Sequence, residues 1–153
     1  MNVYGGPGSQ LVLNKWNSFK YTWWFNMLAS DGYLICISDN RGTRGRGEEF
    51  KKQTYLHLGK METEDQTDAA LYLKTLPFVD GDRIGIFGWS YGGYMSSLCL
   101  LKSNDVFKSA ISVAPVTHWK WYDSVYSERY MKDEKQNSNG FAEYAPVLLA
   151  DRL

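Results

Sequence analysis

Three short apolar runs stand out along this chain: residues 33–38, 83–87 and 109–113. Each is too short for a stable helix and is dominated by residues that favour a pleated backbone, so each reads as a strand. The first is continuous rather than alternating, which predicts burial on both faces. Residues 1–4 read as the end of a further strand, stopped by Gly5-Gly6-Pro7-Gly8. Longer apolar stretches lie between these runs. Residues 16–29 predict an aromatic-rich helix. Residues 62–76 predict another, with acidic residues in its first turn to complement the macrodipole and Pro77 just past its end. Residues 94–101 predict a third. Strands alternating with helices predict an α/β three-layer sandwich with a mostly parallel sheet. The expected strand order is 33–38, 1–4, 83–87, 109–113.

Composition narrows the function classes. The chain has 153 residues, 44% of them hydrophobic, enough for one domain with a real core. Seventeen Lys and Arg balance seventeen Asp and Glu, so no strongly basic surface is expected for nucleic acid or an anionic membrane. No apolar run reaches transmembrane length, and the N-terminus has neither the basic nor the apolar region of a signal peptide. Residues 39–47 are rich in Arg and Gly but do not match a dinucleotide-binding fingerprint and open no obvious helix. They read as a tight irregular loop. No His or Cys cluster has ligand spacing, so neither a metal nor a cofactor is expected. Cys36 and Cys99, one in a predicted strand and one in a predicted helix, read as buried free thiols.

The chemistry concentrates at Gly88-Trp89-Ser90-Tyr91-Gly92-Gly93. This is a G-x-S-x-G pattern between a predicted strand and a predicted helix, the context of a nucleophile elbow. Such a turn presents a serine at a helix N-terminus, where backbone N–H groups can face a developing oxyanion. A serine hydroxyl also needs a base and a group that orients the base. In α/β-hydrolases the order is Ser, acid, His; His57 precedes Ser90, and no acid lies between the end of the 109–113 strand and His118, the only histidine after it. His57 reads as a surface-loop residue.

Four segments, taken in order, resemble the catalytic domain of the prolyl oligopeptidase family of serine peptidases. They are residues 4–10, residues 39–42, the Ser90 motif and the aromatic stretch 121–130. Within the family the last segment is most similar to dipeptidyl peptidases of type IV. The resemblance runs over about residues 1–130. It implies that Ser90 is the acylating nucleophile. It implies that Tyr4 offers its phenolic O–H, and Tyr91 its backbone N–H, to the oxyanion. Tyr91, Val116, Trp119, Tyr122 and Tyr126 would line the pocket for the residue before the scissile bond, and an apolar aromatic slot suits proline. Read without the resemblance, Tyr4, Tyr122 and Tyr126 are equally well packing aromatics. Tyr122 and Tyr126, four apart, would share a face if both sit on one helix.

The resemblance also implies that the chain is a partial α/β-hydrolase domain, without the family's β-propeller, its first sheet strands or the segment carrying the catalytic Asp and His. The expected function is serine-type proteolysis of peptides with proline before the scissile bond, with the 153 residues inactive alone. Two alternatives stay open: another hydrolase of the same fold, such as an acylaminoacyl peptidase or esterase, and a non-catalytic oligomerising module. An unpaired 109–113 edge predicts self-association.

Overall fold

The computed structural model describes residues 1–16 and 20–153. Three parallel strands, β1 (Asn2–Val3), β2 (Gly85–Trp89) and β3 (Ser109–Val113), lie side by side in that order. Asn2 stands opposite Phe87 and Val3 opposite Gly88. β2 and β3 run in register from Gly85–Ser109 to Trp89–Val113. Beyond β1, the 33–38 run contributes one bridge, Ile37 to Asn2, and the Asn2 N–H donates to the Cys36 carbonyl at 2.9 Å. The strand order is the expected one, but the 33–38 strand shrinks to this bridge. Its partner is two residues long, so the ladder has no further backbone groups to pair with. Tyr33 and Leu34 are exposed, which corrects the expectation of burial on both faces.

Helices cover both faces of the sheet. On one, α1 (Thr22–Ser30) leans on β2, with Trp24 edge-on to Phe87 at 4.8 Å and Tyr21 edge-on at 5.4 Å. The helix expected over 16–29 begins at Thr22, and its residues 17–19 lie outside the described residues. After the irregular 39–47 loop comes a short exposed helix that the pattern did not announce, α2 (Glu48–Lys52). Its acidic first turn and basic last turn both suit the helix dipole. α3 (Lys60–Lys74) and α4 (Tyr91–Lys102) stack on the opposite face. Alternation along β2 directs Phe87 to α1 and its neighbours Ile86 and Gly88 to α4.

α4 is the centre of the core. Nine of its twelve residues are buried, so it is a wrapped interior helix rather than a surface one. Tyr94, Met95, Leu98 and Cys99 pack with Leu58, Ala70, Phe107 and Met131. Cys99 is a free thiol that burial pushes far above its ordinary pKa, and the half-buried Cys36 is free as well. Beyond β3 follow a 3-10 turn (Trp119–Trp121), α5 (Ser124–Met131) and α6 (Ser138–Glu143). Side chains start both helices. Asp123 accepts from the Tyr126 N–H at 2.8 Å, and Asn137 from the Gly140 N–H at 3.3 Å.

Two contacts tie the sheet to α4 and α3. A side chain at Gly88 would collide with the Gly92 carbonyl, and one at Gly92 with the Val3 carbonyl. At the start of α3, the Glu62 carboxylate reaches back to accept the Gly59 N–H at 2.9 Å, half of a capping box. Its other oxygen accepts the Tyr91 hydroxyl at 2.6 Å, and the whole side chain is buried.

Two outcomes follow. Gly92→Ala forces α4 off β1 and should cost about 3 kcal/mol or more, as overpacking and strain costs accumulate; chemical denaturation of the variant against wild type measures it. Glu62 has its pKa raised to about 7, first by desolvation and against the pull of the Tyr91 and Gly59 hydrogen bonds. Unfolded, it titrates near 4.5. Between these values the unfolded chain has released a proton that the folded chain keeps. Glu62 therefore makes stability fall as pH rises from about 4.5 to about 7, on the order of 3 kcal/mol in all, and level off above. Urea midpoints collected from about pH 4 to about pH 8 should show this slope as the difference between wild type and Glu62→Gln.

Candidate active site

Ser90 sits at the carboxyl end of β2 and caps α4, with φ 59° and ψ −115°. A positive φ is costly for a residue with a Cβ, about 1–3 kcal/mol, and persists only where the surroundings fix it. Here they do. The Ser90 N–H donates to the Val113 carbonyl at 2.9 Å, and the Ser90 carbonyl accepts from Tyr94 at 3.0 Å. Ser90 is half-buried and, with Tyr4, Gln10, Tyr21 and Trp89 among others, lines a cavity of about 350 Å³. This is the crevice beyond the strand ends where open α/β sheets bind ligands.

Tyr4 follows β1 directly, and its ring centroid lies 6.0 Å from that of Tyr91. Partial burial, and then the neighbouring phenols of Tyr122 and Tyr130, raise its pKa, so at neutral pH it remains an O–H donor. Tyr91 is the first residue of α4, and first-turn N–H groups have no partner within the helix. Its side chain is buried, with the hydroxyl on Glu62, and burial keeps the phenol protonated.

The aromatic residues singled out in the sequence come together. Trp119 lies 5.4 Å from Tyr91, is stacked on Tyr126 at 5.6 Å and meets Tyr122 edge-on at 5.9 Å. Val116, half-buried, packs against the hydrophobic core to which Trp119 belongs. Trp119 is 1% exposed and Tyr122 44%, so the cluster has a closed floor and an open rim. Tyr122 and Tyr126 do not sit on one helix. Tyr122 ends the 3-10 turn, and Asp123 starts α5 one residue later. The two rings still meet edge-on at 5.4 Å. Tyr130 joins the group, 4.8 Å from Tyr126. Its presence inside the 121–130 segment was the available signal.

Neither histidine serves Ser90. His118 caps the 3-10 turn, its Nδ1 accepting the Lys120 N–H at 3.2 Å, and its ring faces Trp121 and Phe141. Burial lowers its pKa. His57 is exposed in the turn before α3. Among the described residues, no group of three or more His, Cys, Asp or Glu could hold a metal, and no helix is long and apolar enough to cross a membrane. Sequence reasoning missed the polar residues behind the site. Glu62 read only as a first-turn acid, Asn40 only as part of the 39–42 segment that carries the resemblance, and Gln66 drew no notice.

Comparison with known proteins agrees with this geometry. The family model described as "Prolyl oligopeptidase family" matches residues 17–153. Dipeptidyl peptidase 8 of Homo sapiens is 45% identical over 140 residues, 91% of this chain and 16% of that protein. Prolyl endopeptidase FAP of Mus musculus is 44% identical over 131 residues, 86% of this chain and 17% of that protein. The crystal structure of Porphyromonas gingivalis dipeptidyl peptidase 4 superposes with a TM-score of 0.93 at 45% identity, over 99% of this chain and 21% of that one. The chain thus spans about a sixth to a fifth of the length of these relatives, and its parallel sheet and flanking helices match part of an α/β-hydrolase catalytic domain. Agreement of sequence and backbone over nearly all its residues leaves one assignment: the chain belongs to the prolyl oligopeptidase family of serine peptidases.

Proposed function

We propose that this chain carries the nucleophile, the oxyanion donors and the acyl-side pocket of a post-proline dipeptidyl peptidase. The observation that carries the reading is the placement of Ser90. It stands on a strained turn, lines one cavity with Tyr4, and is followed by Tyr91, whose ring meets those of Tyr4 and Trp119. Ser90 Oγ attacks the carbonyl carbon of the scissile bond. The oxygen that gains charge accepts from the Tyr4 hydroxyl and the Tyr91 N–H, both donors at neutral pH. A base takes the Oγ proton on attack and gives it to the leaving nitrogen as the C–N bond breaks, which leaves an acyl ester on Ser90 that water then hydrolyses to the acid and the free serine. A proline ring before the scissile bond fits a slot floored by Trp119 and rimmed by Tyr122 and Val116, because the ring is compact and carries no polar group to desolvate. The relatives named dipeptidyl peptidases support this choice over an esterase.

The reading calls for a base beyond His57 and His118. We place that base and its orienting acid outside these 153 residues, which by themselves should not turn over substrate. The product of the complete reading frame should hydrolyse Gly-Pro p-nitroanilide. Ser90→Ala should abolish that activity, and Tyr4→Phe should lower kcat by about 10²–10³ with little change in KM. Undiminished turnover by Ser90→Ala overturns the reading.

The same partial sheet bears on assembly. Among the described residues, no strand pairs with the outer edge of β3, and Ile111 on it is 55% exposed. We propose that the 153-residue chain self-associates through this edge. Sedimentation velocity should show a concentration-dependent species larger than the monomer, weakened when Ile111 is changed to Lys; a monomer at every concentration removes the proposal.

A further inference from the structure

Behind the elbow lies a layer of buried polar side chains that the chemistry above does not use. Gln66 and Glu62 stand four residues apart on α3 and so share a face. Both are fully buried. Gln66 Nε2 donates to Asn40 Oδ1 at 3.0 Å and to the Ser38 carbonyl at 3.1 Å, while its Oε1 accepts from the Ser38 hydroxyl at 3.0 Å. Those bonds fix which way the Asn40 amide points. Asn40 Nδ2 then donates to the Gly5 carbonyl at 2.9 Å and to the Arg41 carbonyl at 2.7 Å. Gly5, at φ 78°, is packed so closely on Asn40 that an added Cβ would lie 2.8 Å from Oδ1. Glu62 makes the parallel connection through the Tyr91 hydroxyl.

Each chain of contacts ends one residue from a group placed at the reaction. Gly5 follows Tyr4, and Tyr91 follows Ser90. Resting on the proposed function, we infer that α3 positions the site: Gln66, through Asn40, sets the Tyr4 loop, and Glu62 sets the Tyr91 ring against Trp119. A core built only for stability has cheaper solutions, because apolar residues of equal volume often match or exceed a buried polar or ionised network. A fully satisfied network instead fixes direction, which an oxyanion donor and a pocket wall both need.

The two arms of α3 separate kinetically. Asn40→Asp keeps the shape and Oδ1 but removes the donor to Gly5. It should lower kcat on the order of 10- to 100-fold, with KM nearly unchanged, because Tyr4 acts on the transition state. Glu62→Gln should instead raise KM for Gly-Pro p-nitroanilide by about fivefold and narrow its advantage over Gly-Ala p-nitroanilide, because Tyr91 walls the pocket. Both are measured on the product of the complete reading frame, per active site titrated with a fluorophosphonate. Should Asn40→Asp not fold, Gln66→Met releases the same amide at similar volume and should show the same kcat effect. Unchanged kcat and KM per titrated site in folded variants, with only thermal stability lowered, overturns the inference and spares the peptidase reading. Wild-type protein that neither cleaves Gly-Pro p-nitroanilide nor labels at Ser90 overturns both.

Discussion

The close approach of three backbones at Gly88, Gly92 and Val3 is the constraint on which this site depends. With no side chain at Gly88 or Gly92, α4 can start directly over the ends of β1 and β2. A helix placed there leaves a single residue to turn the chain from the strand into its first turn. That residue is Ser90, and the geometry of the connection imposes its positive φ. Hydrogen bonds to Val113 and Tyr94 then hold it. The turn that carries the hydroxyl is a consequence of packing density between elements rather than of anything in serine itself.

The same approach organises the aromatic residues. Tyr91, forced to the first position of α4, sends its ring into the core while its N–H stays at the helix end. The ring becomes a shared wall. Tyr4 lies 6.0 Å from it and Trp119 5.4 Å, with Gly6 so near that an added Cβ would lie 2.8 Å from the Tyr91 ring. Trp119 in turn carries Tyr122 and Tyr126. Tilted and edge-to-face contacts at 5–6 Å are favourable for aromatic pairs, so the aromatic group is held by the packing that also forms the core.

What could be read from the sequence divides along the range of the interactions. The β2–elbow–α4 unit is local: an apolar run, flanking glycines and an apolar helix specify it within about twenty residues, and it was legible along with the Ser109–Val113 strand. The 33–38 segment was misjudged because a strand exists only with a partner, and its partner is two residues long. α2 escaped notice because five residues carry almost no periodicity. At the site, Ser90 was marked by its motif, and Tyr4, Trp119 and Tyr126 by resemblance of their segments. Nothing in the sequence marked Glu62, Asn40 and Gln66 as buried, since a polar residue looks the same in sequence whether it faces water or the interior. Only the meeting of α3 with the 39–47 loop and α4 distinguishes the two.

That blindness has a physical consequence for Glu62. A carboxyl group buried without a cationic partner is unfavourable whenever it ionises, and its pKa near 7 states that cost. Protonation relieves it, but a protonated carboxyl cannot accept at both oxygens with the strength of a carboxylate while its own hydrogen occupies one of them. The Gly59 N–H is fixed by the backbone of the α3 cap, whereas the Tyr91 hydroxyl can rotate to become the acceptor. The proton therefore belongs on Oε1, between Glu62 and Tyr91, and the cap is left undisturbed. Helix α3 keeps its start in either state, and what changes is the direction of one hydrogen bond adjoining Ser90.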